Sequence, residues 1–197
     1  DTSKIKNMNC HFIYSNFNGD ISNWDTSNVT SMNSMFYKTK KFNNDIIKWN
    51  TSKVIDMHKM FCFTKKFNQD IGKWDVSNVT SMNSMFYFSR KFNKNLNKWN
   101  TSKLINIDNM FAYSIFNGNI SNWNTSNVTS MISMFFNAEN FNQDISKWDV
   151  SNVTNMCGMF DETENFNQNI SNWNVSNVTS MSYMFYDVES FNQNISS

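Results

Sequence analysis

Apolar and polar residues alternate along this chain in a pattern that recurs about every 25 residues. In one such period, Val29 is followed by apolar residues at i+3, i+6 and i+7, which is the spacing expected on one face of a short helix. Ser27 precedes this stripe, and a serine oxygen at that position can accept a hydrogen bond from a first-turn N–H. The pattern therefore predicts a short helix with a serine N-cap in every period.

A second segment of each period joins a phenylalanine to a tryptophan, as in residues 42–49. It is too short for another helix and predicts a brief extended strand, which stacked periods would align into a parallel sheet. The asparagine that follows the phenylalanine, such as Asn43, is expected to form a ladder in which each side-chain amide bonds its neighbour or a turn carbonyl.

Tryptophan marks the period most clearly, because it recurs at positions 24, 49, 74, 99, 123, 148 and 173. A fixed period of this length is typical of a solenoid, in which stacked units bury apolar faces that one unit cannot bury alone. The predicted fold is an α/β solenoid similar to leucine-rich repeats, with about eight turns of one short parallel β-strand and one short helix each. An all-β solenoid is the alternative. The unbroken phase predicts one continuous domain over residues 1–197, and because no polar cap is visible we expect a segment of a longer protein.

Residue types that are confined to one phase of the repeat indicate the core. All fourteen methionines fall at two positions of the repeat, and sixteen of the nineteen phenylalanines fall at two others; we call the residues at one repeat position a column. This confinement favours a shared core over a methionine-rich ligand-binding site. Cys10, Cys62 and Cys157 lie in different columns and are expected to be free thiols. His11 and His58 have no partners at metal-ligand spacing. No cofactor, metal site or catalytic arrangement is predicted, and the chain is not expected to be an enzyme.

Charge is distributed unevenly along the chain although the formal net charge is only +1. Residues 1–100 hold fifteen basic and seven acidic side chains, whereas residues 101–197 hold two basic and nine acidic ones. The near-neutral total argues against non-specific binding to nucleic acid. The sequence has no apolar run of about 20 residues, so membrane insertion of this segment is not expected. This difference in charge predicts that opposite halves of neighbouring molecules attract each other or orient a partner. The alternative is that it reflects sequence drift in exposed loops that tolerate any charge.

The loops that follow Phe36 and its equivalents vary most between periods, and binding specificity in a repeat protein can lie only in such variable positions. The aromatic candidates for an interaction surface are Tyr37, Phe63, Tyr87, Phe88, Tyr113, Phe136 and Tyr186, with Tyr14 in the same row. The charged candidates are Lys38, Lys40, Lys41, Lys65, Lys66, Arg90, Lys91, Glu139, Glu162, Glu164 and Glu189. Exposed aromatic rows can stack on sugars or anchor proteins, and they can equally form an outer shoulder of the core.

Residues 141–160 read FNQDISKWDVSNVTNMCGMF, and residues 166–185 repeat that sequence closely. This unit resembles the bacterial surface protein repeat of about 25 or 26 residues that is found in mycoplasma lipoprotein-like proteins and grouped with BspA-like leucine-rich repeats. The resemblance covers essentially the whole chain. It implies a leucine-rich-repeat-like solenoid, an extracellular or cell-surface location, a role in adhesion or interaction, and no catalytic residues.

Two functional hypotheses follow. The first is a non-catalytic, surface-displayed repeat module that binds a protein or a glycan through one face of the rod. The alternative is a structural building block of a surface layer, filament or particle, assembled through solenoid ends and halves of opposite charge. The expected partner is accordingly a protein or cell-surface molecule of unknown identity, or further copies of the chain along the rod axis.

Overall fold

The computed structural model describes residues 1–195, in which the backbone winds through eight stacked coils. Each coil contributes one bridging residue to a parallel ladder, and we number the coils 1 to 8 by these residues: Asn7, Ser31, Asp56, Ser81, Asn106, Ser130, Asn155 and Ser180. Within residues 1–195 these single-residue bridges are the only β-structure, and no helix is formed. The chain is a repeat solenoid built almost entirely from turns, as the period predicted, but without the predicted regular elements.

Alternate backbone N–H groups point along the solenoid axis and join neighbouring coils. In coil 2 the N–H of Met32 donates to the carbonyl of Asp56 at 3.0 Å. The N–H of Phe36 donates to the carbonyl of Met60 at 2.9 Å. Between them, the N–H of Met35 closes a turn onto the carbonyl of Met32 in the same coil, at 3.2 Å. Because axial and local bonds alternate, the backbone polar groups are satisfied without a helix.

The predicted helix over residues 29–36 is wrong, because this segment forms consecutive β-turns. Val29 donates its N–H to the carbonyl of Thr26 at 3.0 Å, and the same bond to the third preceding residue recurs through the coil. Ser34 has a φ of 54°, a left-handed conformation that a right-handed helix cannot contain. Each turn returns the chain to the core after three residues, which reproduces the apolar spacing of a helix face.

The predicted strand and the predicted serine cap are also wrong. The residue of coil 2 that bridges to its neighbours is Ser31, which lies in the segment expected to be helical and not in residues 42–49. Ser27 caps no helix; its N–H instead donates to Oδ1 of Asp25 at 2.9 Å in a local turn. Hydrogen bonding with the Ser27 side chain and backbone lowers the pKa of Asp25. The serine column therefore stabilises a turn that begins at an aspartate or asparagine.

Two columns of stacked phenylalanine rings form the centre of the core. The ring centroid of Phe36 lies 3.9 Å from that of Phe42 in its own coil and 5.5 Å from that of Phe61 in the next coil. The three rings are nearly parallel, with interplanar angles of 12° and 2°. Met32 and its equivalents in the central coils are fully buried beside the rings. The methionine and phenylalanine columns are thus the shared core that the sequence predicts.

The tryptophan column combines packing with hydrogen bonding. Trp49 and Trp74 stack with ring centroids 6.4 Å apart and planes 4° from parallel, so neighbouring coils rotate little relative to each other. The indole N–H of Trp74 donates to the carbonyl oxygen of Ile46, one coil back, at 3.1 Å. A buried indole requires such a partner, and the bond fixes the register between two coils.

The predicted asparagine ladder forms, but it lies at the surface, and its side-chain oxygens accept hydrogen bonds from backbone N–H groups, which the sequence did not predict. The side-chain oxygen of Asn43 accepts a hydrogen bond from the backbone N–H of Asn68 at 2.8 Å. The side-chain oxygen of Asn68 in turn accepts one from the N–H of Asn93 at 3.1 Å. Each of these amide oxygens therefore satisfies a backbone donor of the next coil, and Asn117, Asn142 and Asn167 also accept a hydrogen bond from a glutamine side chain of the next coil.

Candidate interaction surface

The loops between the two core phenylalanines of each coil form one continuous surface, which we call the loop face. It comprises residues 13–16, 37–41, 62–66, 87–91, 112–115, 136–140, 161–165 and 186–190. Backbone bonds align these loops: the N–H of Lys38 donates to the carbonyl of Cys62 at 2.8 Å. The N–H of Phe63 donates to the carbonyl of Tyr87 at 2.8 Å, and the same bond recurs down to coil 8. Equivalent loop residues therefore lie in register along the solenoid.

A buried hydroxyl anchors several of these loops to the preceding coil. Thr64 is fully buried, and its Oγ1 donates to the carbonyl of Phe36 at 2.7 Å. Thr163 makes the same bond to Phe135, also at 2.7 Å. The residue before Thr64, Phe63, has a φ of 57°, which completes a tight turn. The loops are thus held on a fixed scaffold that sets where their outward side chains lie.

Aromatic side chains form an unbroken row along coils 1 to 6 of the loop face. The ring centroids of Tyr14 and Tyr37 lie 5.4 Å apart, and those of Tyr37 and Phe63 lie 6.1 Å apart. Phe63 lies 5.0 Å from Phe88, and contacts of 5.8 and 4.7 Å continue the row into coil 6. Most of these pairs meet edge to face, which is a favourable geometry for aromatic rings. Apart from the more exposed Tyr14, the rings are half-buried and keep part of their surface in solvent.

Cations lie over this row in coils 2 to 4. The Nζ atom of Lys38 is 5.0 Å from the ring centroid of Tyr14 and 5.4 Å from that of Phe63. The guanidinium carbon of Arg90 is 4.2 Å from the ring centroid of Phe88. At these distances a cation is attracted to the electron-rich face of the ring. The basic side chains are therefore positioned by the aromatic row beneath them.

These side chains enclose an open groove of about 500 Å³ that spans coils 1 to 4. The groove is lined by Tyr14, Ser15, Asn16, Lys38, Lys40, Phe63, Lys65 and Phe88. Hydrogen bonding to Tyr37 raises the pKa of Lys38, so its ammonium group stays charged at physiological pH. The groove offers a ligand both aromatic ring surface and fixed positive charge.

Coils 6 to 8 present carboxylates on the same face. Oε2 of Glu162 accepts a hydrogen bond from Nδ2 of Asn137 at 2.9 Å. Asp161 is half-buried, and its Oδ1 is buried without a hydrogen-bond partner. Burial raises the pKa of Asp161, and the negative charges of Glu162 and Asp187 act in the same direction. The loop face therefore changes from positive to negative along the solenoid.

All the surface residues predicted from the sequence lie on the loop face. Tyr186 is the aromatic residue that stays apart from the row, since its ring contacts Tyr183 at 6.0 Å. Ser15 and Asn16 were not predicted, because a short uncharged loop gives no signal of a groove. Asp161 was not predicted either, because its partnerless oxygen is visible only in the structure.

Among residues 1–195, the loop face holds no cluster of metal ligands, and its one cysteine, Cys62, is buried. Within residues 1–195, no cluster of histidine, cysteine and carboxylate side chains is arranged to hold a metal ion. The three cysteines are unpaired, as predicted, and burial raises the pKa of Cys62 to about 12, so this thiol stays protonated. In the described part of the chain, no helix has the length and apolarity needed to cross a bilayer.

The stacked coils and their variable loops define the class of protein, a tandem-repeat solenoid that displays side chains on a repeated scaffold. The chain belongs to the family described as Mycoplasma protein of unknown function, DUF285, which matches residues 1–99 and 112–197. The stretch between the two matches lies in coil 5, where Ile107 occupies a methionine position of the repeat. A comparison with curated proteins finds no match.

Proposed function

We propose that this chain is a non-catalytic interaction module that binds a protein or a glycan through the groove in coils 1 to 4 of the loop face. In this proposal the module is displayed on the cell surface, and its coils belong to the wider group of leucine-rich-repeat-like solenoids. The supporting observation is the row of half-buried rings beneath Lys38 and Arg90. The core, the axial backbone bonds and the buried hydroxyls already join the coils, so these outward side chains are free to serve binding.

The chemistry of the groove favours a partner that carries negative charge. Ammonium and guanidinium groups form strong hydrogen bonds to carboxylate, sulfate or phosphate oxygens. Aromatic surfaces beside them contact the apolar faces of sugar rings or protein side chains. A sulfated or uronic-acid glycan and an acidic protein segment both meet this description.

Binding of two defined probes tests the proposal: heparin as a sulfated glycan and polyglutamate as an acidic polypeptide. The immobilised chain is expected to retain at least one probe at low salt. Replacing Phe63 and Phe88 together by alanine should weaken binding about tenfold, because lost ring contacts cost roughly 1 kcal/mol or more. The matched control replaces Ile55 and Ile105, which are exposed apolar residues outside the loop face. Retention of neither probe, or equal retention by the phenylalanine variant, refutes the proposal.

A second candidate function, a structural building block, is favoured by the reversal of charge along the loop face. The loops of coils 2 to 4 carry seven cations, whereas those of coils 6 to 8 carry six carboxylates. Surfaces of opposite sign attract and orient one another before contact. In this function the partner is another copy of the chain.

A further inference from the structure

The charges of the loop face are arranged antisymmetrically about coil 5. The loop of coil 2 has three lysines, and the loops of coils 3 and 4 have two cations each. The loop of coil 5 has no charged residue, and the loops of coils 6, 7 and 8 have one, three and two carboxylates. Reversing the order of the coils therefore sets every basic loop against an acidic one. A face of this kind is complementary to its own antiparallel copy.

We propose that two copies of the chain pair antiparallel through the loop face, about a two-fold axis that passes through coil 5. The loop of coil 4 then faces that of coil 6 in the second copy, coil 3 faces coil 7, and coil 2 faces coil 8. In a two-fold interface each contact occurs twice, so every basic loop of both copies is matched. This inference develops the building-block function and does not require a foreign partner.

Coil 5 is suited to lie on the axis because its loop is uncharged and one residue shorter than its neighbours' loops. Tyr113 is half-buried as part of the aromatic row, and Ile115 is 36% exposed. Arg90 and Glu139, from coils 4 and 6, line a small depression together with these two residues. In the pair, Arg90 of each copy faces the loop that carries Glu139 of the other. An apolar centre with charged residues around it is the usual layout of a protein interface.

Electrostatic screening makes this register specific. Neighbouring coils are separated by about 4.8 Å, and the Debye length at physiological salt is about 8 Å. A loop therefore interacts with the loop opposite and its immediate neighbours only. Shifting the second copy by one coil sets the neutral loop of coil 5 against a charged loop. End-to-end stacking brings only the loops nearest the two ends within range and leaves the others without a partner.

The size of the face indicates a weak and salt-sensitive dimer. Six steps from coil 2 to coil 8 span about 29 Å, and each loop is only four or five residues wide. Such an area is smaller than the roughly 800 Å² per partner that stable complexes bury. We therefore expect rapid exchange between monomer and dimer, with pairing favoured at low ionic strength.

Sedimentation velocity over a concentration series tests this pairing at about 20 mM and about 500 mM salt. Dimers are expected at low salt and monomers at high salt. Replacing Lys65 and Lys66 by glutamate should weaken dimerisation at least about tenfold, because coil 3 then repels coil 7. The matched control replaces Lys48 and Lys73, two exposed lysines outside the loop face, by glutamate. It changes the net charge by the same amount and should leave dimerisation unchanged.

A charge swap separates self-pairing from a general effect of charge. Glu162→Lys with Glu164→Lys should weaken the dimer on its own. Adding Lys65→Glu and Lys66→Glu to the same chain should restore it, and mixing the two double variants should give a mixed dimer. Unfolding curves check that every variant is folded. Failure of both the swap and the mixture to restore pairing, or a parent chain that is monomeric at low salt, overturns the proposal.

Disulfide trapping tests the position of the axis. With Cys10 and Cys157 replaced by serine, Ile115→Cys should form a linked dimer on mild oxidation, because a residue on a two-fold axis lies beside its own copy. Ile105→Cys is the control; this residue lies in the same coil, outside the loop face, and is 48% exposed. Equal trapping at both positions excludes an axis at coil 5. If the chain dimerises but retains neither heparin nor polyglutamate, the proposed binding of a foreign partner is refuted and the antiparallel pairing stands.

Discussion

Replacing Trp74 by phenylalanine tests how each coil is fixed to the coil before it. Trp74 is buried, stacks on Trp49 at 6.4 Å, and donates its indole N–H to the carbonyl of Ile46 at 3.1 Å. Phenylalanine cannot donate, so the lost hydrogen bond costs about 1 kcal/mol. The smaller ring also leaves a void, which adds about 1–2 kcal/mol. We expect Trp74→Phe to lower the free energy of unfolding by about 2–3 kcal/mol in total.

Trp24→Phe is the matched control, because Trp24 stacks on Trp49 in the same way but is only half-buried. Within residues 1–195 its indole N–H donates no hydrogen bond, whereas that of Trp49 donates to the carbonyl of Ile21 at 3.1 Å, so we expect Trp24→Phe to cost only about 0.5–1 kcal/mol. Trp99→Phe should behave like Trp74→Phe, since its indole donates to the carbonyl of Ile71 at 3.0 Å.

Urea unfolding followed by circular dichroism gives the three free energies, and the m-values check that each variant exposes the same surface on unfolding. The decisive result is the order of the losses in unfolding free energy. Trp74→Phe and Trp99→Phe each remove an indole hydrogen bond, whereas Trp24→Phe does not. Equal losses for Trp24→Phe and Trp74→Phe would refute the reasoning, since burial and the hydrogen bond would then contribute nothing measurable.

Two further predictions concern carboxylates whose pKa the fold shifts in opposite directions. Asp161 has a partnerless buried oxygen and a raised pKa, so its contribution to stability is present below its ordinary pKa of 3.8 and is lost as pH rises. Asp161→Ala should therefore raise the free energy of unfolding at neutral pH by about 1 kcal/mol, and an unchanged urea midpoint contradicts this. Asp75 has a pKa lowered by hydrogen bonds with Ser77, so its contribution is present above 3.8 and is lost as pH falls. Asp75→Asn should reduce the fall in melting temperature on acidification, measured by calorimetry; an equally steep fall contradicts this.

The core and the repeat could be predicted because their residues are fixed by phase. Phe36 and Phe42 recur in every coil at equivalent positions, and a large apolar residue confined to one phase has one environment. Asn43 could be interpreted as a ladder residue for the same reason. Identity of a column thus predicts burial and stacking without any knowledge of the local backbone.

The local backbone could not be predicted, because turns and helices give the same apolar spacing here. A turn of this kind needs a positive φ, which sequence reasoning assigns to glycine, yet Ser34, Lys38 and Phe63 adopt it. Gly158 is the one glycine at these positions in residues 1–195. The axial hydrogen bonds on both sides of each coil impose the conformation, so the information lies in the neighbouring coil and not in the local sequence.

The candidate site was predictable in composition but not in geometry. The loops after Phe36 and its equivalents stand out because they vary while the flanking columns do not. That Lys38 lies over Tyr14, one coil away, depends on the positive φ of Lys38 and on the register of the stacked loops. Neither is visible in a single sequence read as helices and strands.

The scaffold itself is indifferent to the sign of the loop charges. Lys65 and Glu164 occupy equivalent positions, each directly after a threonine, Thr64 or Thr163, that is fully buried and bonded to the preceding coil at 2.7 Å. Because the fold does not select between lysine and glutamate there, the charge pattern must reflect either drift or what the loop face contacts. Drift predicts that exchanging the charges of coils 3 and 7 changes nothing, whereas self-pairing predicts loss with each half of the exchange and recovery with both. The charge swap therefore distinguishes an accident of repeat variation from a property of the assembled molecule.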